Sequence, residues 1–252
     1  MKGPHTAHDS TSPIVLVTLL VIMLALASCT TDSDGERNPD PLDATLRIDI
    51  DHCGALAHSE ATGVLVSLGD DLFIATVAHA FVDANRTVAG GKDSGETVTN
   101  GSAVTAEEIT VHQQQGPTLT ATIVFLDAAT DIALLAVGGP SDTGLEFADY
   151  DGESTARLVV YADGATAPSI QQIDVVGATR ATLDGEDERD ALELSADIQP
   201  GDSGAPVLND DGQVIGVVFA SSRTSESSWA IASAEFTNAM AQPSEPVRVA
   251  CP

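Results

Sequence analysis

Three short stretches of the sequence carry residue types suited to nucleophilic chemistry. In Gly201-Asp202-Ser203-Gly204-Ala205-Pro206 a serine stands between glycines, so its hydroxyl is unobstructed and the backbone is able to turn. An unassisted serine hydroxyl is a poor nucleophile at neutral pH and needs a base. Thr76-Val77-Ala78-His79-Ala80 supplies an imidazole at the end of an apolar run. Asp131-Ile132-Ala133-Leu134-Leu135 supplies a carboxylate at the mouth of another. The chain order His79, Asp131, Ser203 is one of the orders in which nucleophilic triads occur; it is not the α/β-hydrolase order, and Ala205 breaks the Gly-x-Ser-x-Gly elbow. Each residue alone has an ordinary structural reading, as a turn serine, a strand-end histidine or a capping aspartate. Their joint occurrence favours chemistry.

The elements that must hold these residues read as strands. Short Val- and Ile-rich runs are separated by Gly, Asp, Asn and Pro, as in Gly63–Leu68 followed by Gly69-Asp70-Asp71 and Leu72–Val77, a hairpin pattern. Further runs are Leu119–Leu126, Ile132–Val137, Leu158–Ala162, Ile170–Val176, Ala191–Ser195, Val214–Phe219 and Trp229–Ala232, and Asn209-Asp210-Asp211-Gly212 marks a second tight turn. Few windows show sustained helical periodicity, the best being Thr76–Ala84 and Ser233–Ala241. Many short strands at this spacing indicate an all-β barrel or sandwich. The Gly-, Asp- and Pro-rich stretch Gly138–Asp151 divides them into two groups of similar size, consistent with two small barrels. The acidic run 184–188 reads as a solvated loop and lacks the alternating ligands of a calcium loop.

With TVAHA, DIALL and GDSGAP in this order, the chain resembles the chymotrypsin-like (trypsin-like) serine peptidases in their bacterial exported form, over roughly Leu46 to Ala241. The resemblance implies two packed six-stranded antiparallel β-barrels, about 44–140 and about 150–240, with a short C-terminal helix and the triad in the cleft between them. His79 would take the Ser203 proton on attack and deliver it to the leaving amine, and Asp131 would fix the imidazole tautomer and stabilise the imidazolium. The backbone N–H groups of Gly201 and Ser203 would bind the oxyanion. The implied reaction is hydrolysis of peptide bonds in a protein or peptide substrate by a monomer, without metal or organic cofactor. The alternatives are a catalytically silent scaffold that binds an envelope partner and an esterase-type hydrolase.

Specificity follows less directly. Asp197 lies six residues before the nucleophile, where the family places the base of its specificity pocket, and a carboxylate there favours Arg or Lys. Gln199, however, replaces a disulfide-forming Cys of the animal enzymes. Substrate backbone is expected along Phe219, Ala220 and Ser221. Asp202 corresponds to the carboxylate that receives a new N-terminus in animal relatives, and no such start exists here. Asp202 therefore needs another partner or exposure to water, with Arg157 and Arg180 as the candidate partners, because an unpaired buried charge is costly.

Ahead of this domain (42–252) come a signal segment (1–28) and a polar tether (29–41). Ile14–Ala27 is one apolar run, too short for a comfortable membrane span. Leu26-Ala27-Ser28-Cys29 resembles a bacterial lipoprotein signal, so Cys29 is expected to be lipidated and to anchor the exported protein to the cell envelope, at the outer membrane if there is one. The alternatives are an ordinary secretory signal and a membrane anchor that happens to end in Cys. Cys53 and Cys251 then remain, as a bridge worth roughly 4 kcal/mol in the chain-entropy model or as two separate thiols. His52 and His58 beside Cys53 make only a faint zinc pattern.

The chain carries 38 Asp and Glu against 10 Lys and Arg, a net charge of -28. This argues against nucleic acid as a partner, since phosphate recognition needs clustered cations. It points to a salty working medium, with steering of basic substrates as the alternative.

Overall fold

In the computed structural model of the protein, the described residues are 39–53, 58–69, 71–87, 102–104, 106–114, 116–138, 144–161, 165–182, 188–222 and 227–241. The signal segment, Cys29, most of the tether, the acidic run 184–187 and Cys251 lie outside them. The chain divides between Arg37 and Asn38, and every described residue belongs to the second part. Among the described residues no helix is long and apolar enough to cross a membrane.

The architecture is all-β. The first barrel is built from β1 (Thr45–His52), β2 (His58–Leu68), β3 (Asp71–Val77), β6 (Ala106–His112), β7 (Leu119–Asp127) and β8 (Ile132–Val137), closed in the order β1-β2-β3-β8-β7-β6. The short strands β4 (Val82–Thr87) and β5 (Ser102–Val104) pair beside it. The second barrel comprises β9 (Thr155–Val160), β10 (Ser169–Ala181), β11 (Arg189–Ser195), β12 (Pro206–Leu208), β13 (Val214–Ser221) and β14 (Ser227–Ala232), closed as β10-β11-β14-β13-β12-β9. A four-residue helix α1 (Pro41–Ala44) precedes β1, and α2 (Ser233–Met240) closes the described chain.

Period-two alternation explains β1: Leu46, Ile48 and Ile50 are buried, while Arg47, Asp49 and Asp51 face outward. β2 departs from it. Ala61 to Val66 are all buried, because one face of the strand lines the barrel and the other is covered. The segment between the barrels runs as a zipper, with Leu145 N–H donating to Leu65 O at 2.9 Å and Ser67 N–H to Leu145 O at 2.9 Å. On its other side Val214 N–H donates to Glu146 O at 2.8 Å. One apolar cluster continues from the first barrel (Val66, Ile74, Leu135) into the second (Val159, Val217) and onto Phe236 of α2. The β2–β3 hairpin turns at Gly69, whose φ of 65° suits glycine.

One expectation fails here. Thr76–Ala84 is not a helix: β3 continues to Val77, a single 3-10 turn covers Ala78–Ala80, and β4 begins at Val82. The alanines raise local helical propensity, but ladder pairing of Thr76 with Ala133 and of Val77 with Ile132 outweighs it.

Candidate active site

His79 sits on that 3-10 turn, at the point where β3 leaves its ladder. Asp131 ends the β7–β8 turn and has a φ of 60°, the single positive value at a non-glycine among the described residues. That conformation costs about 1 kcal/mol. It is held by a dense set of bonds. Asp127 caps the turn, accepting from Ala129 N–H at 2.9 Å and from the Thr130 hydroxyl at 2.7 Å. The carbonyl of Asp131 accepts from Ala78 N–H at 3.1 Å. Its carboxylate Oδ1 accepts from His79 N–H at 2.7 Å, and Oδ2 lies 2.8 Å from His79 Nδ1. Asp131 is 1% exposed. Backbone and ring of His79 are therefore gripped by the same carboxylate, which puts the proton on Nδ1 and leaves Nε2 as the acceptor.

Nε2 faces Ser203 Oγ at 3.3 Å. The serine loop is shaped by Gly201 (φ 99°) and Gly204 (φ 95°). A Cβ at Gly204 would collide with Thr62 O and Thr76 Oγ1, whereas the space beside Gly201 is open. Thr62, 1% exposed on β2, clamps the loop from the first barrel. Its N–H donates to Ser203 O at 2.8 Å and its hydroxyl to Gly201 O at 2.8 Å. Among the described residues, neither the Gly201 nor the Ser203 N–H donates to a protein oxygen.

Asp202 is 3% exposed. Burial raises its pKa above the ordinary carboxylate value; the Gln199 N–H, donating to Oδ2 at 2.9 Å, opposes this and the nearby Asp197 adds to it. The expected arginine partners are not there. Arg157 donates to the carbonyls of Asn209 and Asp210, and Arg180 pairs with Glu188 and Asp190. Asp197 is exposed, its carboxylate accepting from Gln199 Nε2 at 2.9 Å. Phe219, Ala220 and Ser221 form the end of β13 beyond Val218, where the strand keeps β14 on one side and has left β12 on the other. Cys53 is disulfide-bonded, while His52 lies 2.8 Å from the Ser59 hydroxyl and His58 3.1 Å from Asp51. The three do not form a zinc site.

One residue at this site escapes sequence reasoning. Arg189, at the start of β11, is 0% exposed, with Nη1 3.6 Å from Asp131 Oδ2 and Nη2 donating to Ala129 O at 3.3 Å. Its guanidinium lies 4.9 Å from the centre of the Phe219 ring. The signal available was the strand alternation: carried back from Ala191, it turns Arg189 inward.

A family model described as "Trypsin-like peptidase domain" matches residues 61–217. The chain is 33% identical over 121 residues to serine protease Rv3671c of Mycobacterium tuberculosis strain H37Rv, covering 45% of this chain and 30% of that protein. It is 32% identical over 135 residues to serine protease Do-like HtrB of Bacillus subtilis, covering 50% of this chain and 30% of that protein. The matched region thus spans under a third of the length of these relatives. Among solved structures, the active form of the Rv3671c protease from M. tuberculosis superposes with a TM-score of 0.62 at 21% identity, over 99% of this chain and 98% of that one. An HtrA-type protease, AlgW with tripeptide, superposes with a TM-score of 0.61 at 17% identity, over 80% of this chain and 60% of that one.

Proposed function

Since the chain belongs to the trypsin-like peptidase family, we propose that it is a serine endopeptidase working through an acyl-enzyme on Ser203. The observation that carries this reading is the continuous path from Ser203 Oγ to His79 Nε2 at 3.3 Å and from Nδ1 to Asp131 Oδ2 at 2.8 Å. Ser203 Oγ attacks the scissile carbonyl carbon as its proton passes to His79 Nε2. The resulting oxyanion is received by the N–H groups of Gly201 and Ser203, each donor being worth about 2.7–4 kcal/mol. The C–N bond then breaks, with the proton on Nε2 going to the leaving amine. Water repeats the attack with His79 again as base, and Ser203 is regenerated. Asp131 holds the ring and stabilises the imidazolium, while remaining ionised itself.

Substrate backbone pairs with the open edge at Phe219, Ala220 and Ser221. Asp197 gives the pocket a preference for basic side chains. The protein is exported, as a monomer, and is tethered to the envelope by lipid on Cys29, with Cys53 bridged to Cys251; Leu26-Ala27-Ser28-Cys29 supports the tether, and the disulfide state of Cys53, with Cys29 taken by lipid, supports the bridge. Incubation with a mixed peptide library, read by mass spectrometry, tests the reading. Internal cleavage that disappears in Ser203→Ala, with Lys or Arg enriched before the cut and less so in Asp197→Ser, is expected. Cleavage of small esters but of no peptide would replace the peptidase by an esterase, and no turnover by folded protein would favour a scaffold.

A further inference from the structure

Building on the triad reading, we propose that Arg189 is a positioning residue for the triad: a buried cation of the second barrel that keeps the imidazole of His79 unprotonated, and so available as a base, beside a buried carboxylate. Asp131 Oδ2 is shared. It lies 2.8 Å from His79 Nδ1 and 3.6 Å from Arg189 Nη1. At 1% exposure the carboxylate has little water to offset its charge, and without a second cation a proton bound at His79 would be the natural way to neutralise it. Arg189 supplies that positive charge permanently, since a guanidinium does not lose its proton in proteins. Any additional proton on the His79–Asp131 pair then meets a like charge.

The setting makes such a device useful. A net charge of -28 puts a negative background potential on the His79–Asp131 pair, and its long-range part varies with the ionic strength of the medium. Arg189 is 0% exposed, so its effect on the pair is screened far less.

Other charged groups on the surrounding elements are engaged elsewhere. On the β7–β8 turn, Asp127 is bound to Ala129 N–H and the Thr130 hydroxyl. On the serine loop, Asp202 accepts from Gln199 N–H. His52, on β1, contacts the Ser59 hydroxyl, which donates to Ala80 O at 3.3 Å. Beside Arg189, the exposed Glu188 and Asp190 pair with Arg180. Glu235 of α2 accepts from Asp190 N–H at 2.8 Å. Arg189 is the cation among the described residues that faces the Asp131 carboxylate.

The test is an NMR pH titration of the His79 ring in the full chain, its resonance assigned by loss in His79→Gln. In Arg189→Met the midpoint of His79 protonation is expected to rise by about one pH unit or more, and the acid limb of kcat/KM to move with it. Arg189→Lys, which keeps the charge, should stay near wild type. Should Arg189→Met not fold, Arg189→Gln carries the same expectation. An unchanged midpoint in a folded, charge-removed variant overturns the proposal, as does an Arg189→Lys midpoint that moves as far as the neutral variants. The titration reads the imidazole and not turnover, so a wild type without activity would sink the peptidase reading and leave this result standing.

Discussion

In the first barrel the proposed base and its carboxylate are fixed by charge, burial and a strained backbone, whereas in the second the proposed nucleophile is fixed by glycines and by hydrogen bonds to its main chain. Asp131 is held at a φ of 60° with both carboxylate oxygens engaged by His79. Ser203 owes its place to Gly204, at a φ of 95°, and to Thr62, which reaches across to the carbonyls of Gly201 and Ser203. The difference tracks what each half must do. A base needs a defined protonation state, so its surroundings are ionic. An oxyanion site needs N–H groups left pointing outward, so its surroundings grip carbonyls instead.

Asp131→Asn probes the ionic half and should have the largest effect. Asparagine tolerates the left-handed backbone, so the fold should persist, while an amide facing Nδ1 selects the wrong tautomer. A fall in kcat of about 10⁴-fold is expected with KM little changed, measured by steady-state kinetics beside a thermal melt. Gly204→Ala probes the backbone half. The added Cβ meets Thr62 O and Thr76 Oγ1, and the loss should be of fold first, about 3 kcal/mol by denaturant titration. A stable Gly204→Ala protein would mean that the loop is not pinned as described.

Thr62→Val sharpens the contrast, because it keeps shape and the backbone bond to Ser203 while removing the hydroxyl that donates to Gly201 O. Stability should fall by about 1 kcal/mol, and kcat by about tenfold at nearly constant KM. An equal rise in KM would assign Thr62 to substrate binding instead.

The smallest effect concerns Asp202. Its folded-state pKa is raised by burial, so the folded protein holds this proton more tightly than the unfolded chain. The associated stability is present below the ordinary carboxylate value and is lost as pH rises through the raised value. Asp202→Asn should therefore be more stable than wild type by about 1 kcal/mol at neutral pH, with the gap closing as the medium is acidified through that range. A gap that widens on acidification would reverse the assignment.

The three residues proposed to carry the chemistry, which the structure brings within hydrogen-bond reach of one another, stand where local sequence restricts the backbone: a serine between glycines, a histidine and an aspartate at the ends of apolar strands. The two-barrel plan followed from the strand runs and from the resemblance, and β8 matches its expected bounds of Ile132–Val137. Three features were less visible. β1 and β6 were not among the expected runs, because Arg47, Asp49 and Asp51 in one and Glu107 and Glu108 in the other dilute the apolar signal with outward charge. The 3-10 turn at His79 resembled a helix for want of any breaker among its alanines. Arg189 follows an acidic run; strand alternation turns its side chain inward, but its approach to Asp131 depends on the second barrel closing against the turn that holds that carboxylate, a long-range contact.

His79, Asp131 and Ser203 are proposed to act as one nucleophilic unit. Intact-protein mass spectrometry after exposure to a fluorophosphonate tests it most directly. The wild type should gain a single adduct, mapped by digestion to Ser203, with the rate of labelling falling sharply in His79→Ala and to zero in Ser203→Ala. A folded wild type that gains no adduct, or one that labels equally well in His79→Ala, would contradict it.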